Sequence, residues 1–322
     1  MRKMLLFLSA VAALVSCREE LCYNHFGSAV MEFRWDAEPE SGNVPAGITA
    51  LVYGNDSEFS GESYLSPSGG GVNFGKNGVK CMLFYNNDTE RIIISGEADG
   101  PFAVRATSTY GTRAAPADIR TKFPDDPVLN PPDMLYSAFV DSIPDVGKHE
   151  VSDLQVKMRP MVCSYRVRYE FEYGGHRVVL ARGAISGMAR MVCLHDGSTP
   201  SECATFVYDC EVADSDVVAD MMSFGTPGYP VPSRYAGGGI RKIECSHILN
   251  LEVKLVNGKT KEFYFDITDQ LAGQPRGGEI VVSGLRIEDN DSSGDSGFDV
   301  DLGGWGDHED IDLPVGGQQG TW

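Results

Sequence analysis

The chain has 322 residues, an apolar fraction of 42% and 46 acidic against 27 basic side chains, a formal charge of −19. That is more chain than one core of ordinary size supports, so two domains are expected. A surface this acidic repels phosphate backbones, which argues against nucleic acid as a partner.

The chain opens with Arg2 and Lys3 ahead of an apolar run, Leu5 to Val15, that is too short to span a bilayer as a permanent helix. This is the pattern of an export signal, residues 1–16. Leu14-Val15-Ser16-Cys17 resembles the lipobox of bacterial lipoproteins. The resemblance implies cleavage before Cys17, acylation of its sulfur and new amino group, and firm anchorage, since each buried methylene contributes roughly 0.8 kcal/mol. Arg18-Glu19-Glu20 resembles the surface-export tag of Bacteroidetes lipoproteins, which implies an outer-membrane, lipid-anchored and surface-exposed protein. Cys17 is the one site residue predicted, as a lipidation site; residues 17–28 would be its polar tether. The seven remaining cysteines are odd in number and lack CxxC repeats, against a complete disulfide framework. Cys81 and Cys163 sit in apolar runs and read as inert thiols, and Cys203 and Cys210 could pair.

From residue 29 the pattern is one of short strands. Val30–Trp35 and Ile48–Tyr53 are the first two, and the Gly/Ser-rich stretch from Ser57 to Gly78 reads as a long surface loop. Val79–Tyr85 and Arg91–Ile94 are strand-length apolar runs joined by a turn at Asn86-Asn87-Asp88. Phe102, Val104 and Ala106 alternate as another strand; Asp133–Val140 is a strand or one helical turn. A second unit is expected over 151–288. Its clearest signal is strict alternation from Cys163 to Tyr173, followed by Gly174-Gly175 as a tight hairpin turn into His176–Leu180. Asp214–Met222 reads as a short helix. Around Asn257-Gly258, side-chain parity rejects a two-residue loop. It predicts a three-residue loop or bulge pairing Val253 with Phe263, Leu251 with Phe265 and Leu249 with Ile267, with Lys254 facing Glu262. Residues 289–322 form an acidic tail; beyond Ile287 there are ten acids and no Lys or Arg, and Phe298, Val300 and Leu302 alternate with Asp299 and Asp301. Such a tail can lie against its own sheet edge or another subunit's. Many short strands without helical periodicity specify an all-β sandwich architecture, twice over.

Signals for chemistry are weak. Gly70 to Lys76 spells G-x-x-x-x-G-K, but Asn77 stands where a phosphate loop needs Ser or Thr. Gly183 to Gly187 misses a nucleophile elbow by one position, so Ser186 reads as a turn residue. The six histidines lack zinc spacing, and His195-Asp196 before Gly197 reads as a turn. Asp289, Asp291 and Asp295 share half of an EF-hand spacing, but Val300 stands where its bidentate Glu belongs. No catalytic residue, metal ligand or cofactor site is predicted. Any acidic β protein holds carboxylates that geometry alone could pair for glycoside hydrolysis.

Leu83–Glu90, Pro131–Tyr136, Ile185–Ala189, Ser223–Pro227, Phe265–Asp269, Gly297–Asp301 and Trp305 together resemble the fimbrillin-like lipoproteins of Bacteroidetes. The resemblance implies two tandem transthyretin-like β-sandwiches and a non-catalytic fimbrial subunit, anchor or assembly protein. Its partners would be other fimbrial subunits, joined by β-strand addition, or host and surface ligands. In shaft subunits of that group a protease trims an N-terminal strand and a partner's strand fills the groove; Arg34, Arg105 and Arg113 are candidates for the cut by residue type alone. Two other readings compete. A glycan- or peptide-binding lipoprotein would use Trp35, Trp305 and the tyrosines as stacking surface, and an envelope hydrolase would need a His, Asp and Ser brought together.

Overall fold

A computed structural model describes residues 27–36, 45–54, 56–74, 79–143, 151–229 and 245–293. The signal segment, Cys17 and its tether lie outside the described residues, as do Trp305 and the tail beyond residue 293. Alternating burial and turn chemistry produce an almost wholly β chain. In order it runs through β1 (Ser28–Trp35), β2 (Ile48–Tyr53), β3 (Phe59–Leu65), β4 (Gly70–Asn73), β5 (Cys81–Asn86), β6 (Ile92–Ser95) and β7 (Arg105–Ser108). A short helix α1 (Ala117–Lys122) precedes β8 (Val128–Leu129), β9 (Tyr136–Val140), β10 (Val151–Pro160) and β11 (Cys163–Tyr173). Then come β12 (Val178–Ala189), β13 (Met191–Cys193), β14 (Cys203–Ala213), β15 (Asp216–Ser223), β16 (Ile248–Leu255), β17 (Thr260–Asp266), α2 (Thr268–Ala272), β18 (Gly278–Arg286) and α3 (Asp289–Ser292).

Seven strands form the first sheet in the order β3-β2-β5-β9-β10-β1-β4, and its two ends are joined by the tight Ser66–Gly69 connection. β1 runs parallel to β10 over its whole length, Ser28 opposite Val151 to Trp35 opposite Met158, with β4 antiparallel on its other side from Ser28 to Met31. The expected boundary at 150/151 therefore falls ahead of a strand of the first sheet; the change of sheet comes between β10 and β11. The second sheet runs β17-β16-β12-β14-β15-β11-β18, with β8 paired to β14. A small third sheet, β13-β7-β6, joins a late strand to two early ones.

Three cores result. Met31, Phe33, Ile48, Met82, Phe84 and Met158 fill the first sheet, and Tyr165, Val167, Tyr169, Phe206, Leu251 and Ile280 fill the second. Between them Leu51, Tyr53, Leu83 and Leu135 pack with Val162, Val192, Leu194 and Phe224 from the later half of the chain.

Four local expectations are corrected. The stretch 57–78 contains β3 and β4, because both are edge strands that bury only part of one face and so carry no apolar run. β5 and β6 enter different sheets, and Ile93 of β6 is exposed. Gly174-Gly175 is not a hairpin, since β11 pairs with β15 and β18. Gly174 (φ 78) is required because a Cβ there would lie 2.2 Å from the carbonyl of Ile287. Asp214–Met222 is no helix: Asp214 and Ser215 form a two-residue turn, in which Asp214 takes φ 53, into strand β15, where Val217, Ala219 and Met221 alternate inward.

The β16–β17 hairpin has the predicted loop length and parity but a register displaced by two. Leu251 faces Phe263, Leu249 faces Phe265 and Val253 faces Lys261, while Glu252 is opposite Glu262 and Lys254 opposite Thr260. The loop is Val256-Asn257-Gly258. Gly258 supplies the left-handed residue (φ 82), its N–H donates to the Leu255 carbonyl, and Asn257 Oδ1 accepts from the Lys259 N–H. Only the last loop position needs positive φ, and that fixes the register.

Candidate assembly edges

A β protein meets partners at strand edges, where main-chain donors and acceptors lack neighbours, and native sheets protect the edges they do not use. The first sheet's ends are brought together by the Ser66–Gly69 turn, and β3 is flanked by β4 and by the 3-10 turn Glu97–Asp99. The strands of the third sheet are three or four residues long.

In the second sheet the two edges differ. β18 lies parallel to β11, and its outward groups at Glu279 and Val281 are occupied by two glutamine side chains. Gln270 donates to the Val281 carbonyl (2.9 Å) and accepts from its N–H (3.1 Å); Gln274 donates to the Glu279 carbonyl (2.7 Å) and accepts from its N–H (2.8 Å). Spaced four apart on α2 and the turn after it, the primary amides imitate an adjoining strand. The buried side chains of Leu271 and Ile267 hold α2 in place to do so.

Among the described residues β17 carries no such plug. Leu255 and Lys259 are bonded, and Ile267 donates to the His247 carbonyl, so the alternation turns the main-chain groups of Lys261, Phe263 and Phe265 towards β16. Those of Glu262 and Tyr264 turn outward, and among the described residues they meet no hydrogen-bond partner. Helix α1 covers a face of this sheet, packing Ile119 near Ile248 and Tyr264.

Beside the β16–β17 hairpin the start of the acidic tail is clamped by cations. Arg177 and the Tyr173 hydroxyl bind Asp289, Lys261 binds Asp291, Lys259 donates to the Ser293 carbonyl (2.7 Å) and Asn257 donates to the Asp291 carbonyl (3.1 Å). Hydrogen bonds from Arg177 and Tyr173 hold Asp289 below the usual carboxylate range, and Lys261 does the same for Asp291. The sequence shows these acids as part of a uniform negative run; their ion pairs are tertiary.

The weaker chemical signals resolve individually. Ser186 is not in a turn: it is fully buried at a bulge of β12, where its hydroxyl accepts from the Ile248 N–H (3.2 Å). The His195-Asp196-Gly197 turn is present, with His195 bonded to Asp196. Burial pushes the Asp196 carboxyl up, but the hydrogen bonds from His195 and Ser198 outweigh it and hold the group well below its ordinary value. Gly70–Asn73 is strand β4. Cys81 is buried, and burial pushes the Cys163 thiol up to about 11, as suits inert thiols. Cys203 and Cys210 lie seven residues apart along extended β14 and cannot bond; at about 3.3 Å per residue they are roughly 23 Å apart. Trp35 stacks edge-on against Tyr136 at 4.9 Å within the first core. A shallow cavity of about 510 Å³ at Val30–Glu32, Ser68–Gly70 and Asp153–Gln155 has no aromatic lining. Arg34 lies inside β1, Arg105 inside β7, and Arg113 is paired with Asp209.

A protein family described as Domain of unknown function (DUF5119) matches residues 16–209, more than half of the sequence. The chain belongs to that family. Among curated proteins it is 22% identical to "Putative fimbrium anchoring subunit Fim4B" of Bacteroides ovatus, with 97% of each chain covered. Among solved structures, a "putative adhesin" from Bacteroides ovatus aligns with a TM-score of 0.60 at 20% identity, over 82% of this chain and 94% of that one. The fimbrial anchor protein Mfa2 from Porphyromonas gingivalis aligns with a TM-score of 0.50 at 11% identity, over 83% and 94%. At such identities the structural likeness is one of fold. This DUF5119 chain is all-β, with its strands in sandwich-like sheets, and its relatives are fimbrial and adhesin proteins.

Proposed function

We propose that this protein is a non-catalytic, surface-displayed fimbrial anchor or accessory subunit, held in the outer membrane by acylated Cys17 and joined to partner subunits by strand addition along β17. The carrying observation is the contrast between the two edges of the second sheet, one plugged by side-chain amides and the other unpaired among the described residues. An added strand gains affinity from the main-chain groups of Glu262 and Tyr264 and specificity from the side chains on either face. The fimbrial name of the curated relative supports the reading.

An anchoring role fits β1 better than shaft polymerisation does. β1 begins a short tether beyond Cys17 and lies between β10 and β4. A cut at Arg34 would sever most of it from the sheet and separate the lipid from the folded chain.

The edge is tested with Glu262→Pro, which removes an outward N–H while leaving the β16–β17 ladder bonded. Partner subunits should no longer co-purify with the variant while its thermal midpoint holds; undiminished recovery in detergent-resistant filaments overturns strand addition at β17. For the anchor, Cys17→Ser should abolish acyl-chain labelling, and a variant still labelled refutes that assignment.

A further inference from the structure

Cys203 opens β14 and Cys245 lies just ahead of β16, the two strands that flank β12 on opposite sides. Their sulfurs are 3.1 Å apart, both half-buried and unbonded. That is a contact of two thiols closer than their ordinary packing distance, brought about by strands 42 residues apart in sequence. We propose that Cys203 and Cys245 form a structural disulfide in the exported protein, stapling β14 to the entry of β16 across the end of β12.

The chemistry balances by thiol–disulfide exchange with an exogenous disulfide, such as glutathione disulfide or the active-site disulfide of an oxidoreductase. The contact with Cys203 lowers the pKa of Cys245, so Cys245 is the sulfur that loses its proton first. Its thiolate attacks the external disulfide, forms a mixed disulfide and releases one thiolate. Cys203 then gives up its proton, and its sulfur attacks Cys245 Sγ and expels the second thiolate. Two protein thiols are oxidised and one external disulfide is reduced.

Asp126, whose Oδ2 is buried without a hydrogen-bond partner, opposes negative charge on either sulfur. Dithiol and disulfide are both neutral and exchange in either direction passes through a thiolate, so this carboxylate slows exchange both ways and makes the bond, once formed, slow to reduce.

The full-length protein, taken from the envelope fraction under alkylating and non-reducing conditions, should yield a digest in which the Cys203 and Cys245 peptides are linked and two hydrogens lighter than their sum. The linked species should vanish in Cys203→Ser and in Cys245→Ser but persist in Cys210→Ser. Reduction should lower the thermal midpoint of the unsubstituted protein and leave that of the double Cys203→Ser/Cys245→Ser variant unmoved. Recovery of both cysteines fully alkylated without reduction overturns the proposal, as does linkage of either to another cysteine. The peptide map of the unsubstituted protein decides this whether or not the variants fold.

Discussion

At the scale of single residues, burial decides which polar groups are structural. Tyr169 and Tyr208 are sealed in the second core with their hydroxyls 3.0 Å apart, and the Tyr169 hydroxyl also donates to the Asn250 carbonyl. Burial, which strips the phenolate of its hydration, raises both well above the ordinary tyrosine value of 10. For such groups the folded state keeps its protons where the unfolded chain has lost them, so the stabilisation is complete below pH 10 and declines as pH rises beyond it. Each retained proton costs about 1.4 kcal/mol per pH unit. Urea midpoints measured from pH 9 to 11 should therefore fall, and Tyr169→Phe should flatten the decline. At pH 7 that substitution should cost about 1–2 kcal/mol, because it leaves Tyr208 and Asn250 short of a partner. An equal pH slope in the variant would mean that other groups dominate.

At the scale of elements, helix α2 exists to close an edge. It is five residues long and could not persist alone; Leu271 anchors it and Gln270 and Gln274 spend their amides on β18. The double variant Gln270→Ala/Gln274→Ala removes four hydrogen bonds to partly solvated main chain. It should destabilise by about 2–4 kcal/mol, at roughly 1 kcal/mol or less per bond. More telling, it should expose a second edge, and light scattering should show self-association absent from the parent. A variant that remains monomeric would show that the plug is not what protects β18.

At the scale of the whole molecule, the two principal sheets are not independent. β13 crosses to β7 and β8 crosses to β14, and a core that includes Leu51, Leu83, Val192 and Phe224 belongs to both halves of the sequence. Calorimetry should show one cooperative transition, and chains ending at 160 or beginning at 161 should fail to fold separately, because each lacks a strand that the other supplies. Two resolved transitions would overturn that coupling.

The sequence by itself determined the strands that alternate over a buried face. Cys163–Tyr173 and Ile48–Tyr53 were legible to the residue, the first because a strand with one apolar side writes period two into the chain and the second because a strand buried on both faces is a short continuous apolar run. It also determined the all-β class, and it singled out Cys17 through a resemblance to the lipobox of bacterial lipoproteins. It missed β3, β4 and β15, where edge position or turn geometry replaces an apolar run, and it misplaced the β16–β17 register by two residues, since parity is unchanged by such a slip. Strand neighbours, the plug at Gln270 and Gln274, the open groups of Glu262 and Tyr264, and the meeting of Cys203 with Cys245 were decided only by tertiary structure. Each depends on which distant segments lie side by side, and periodicity records the face a residue turns to but not the strand it turns to meet.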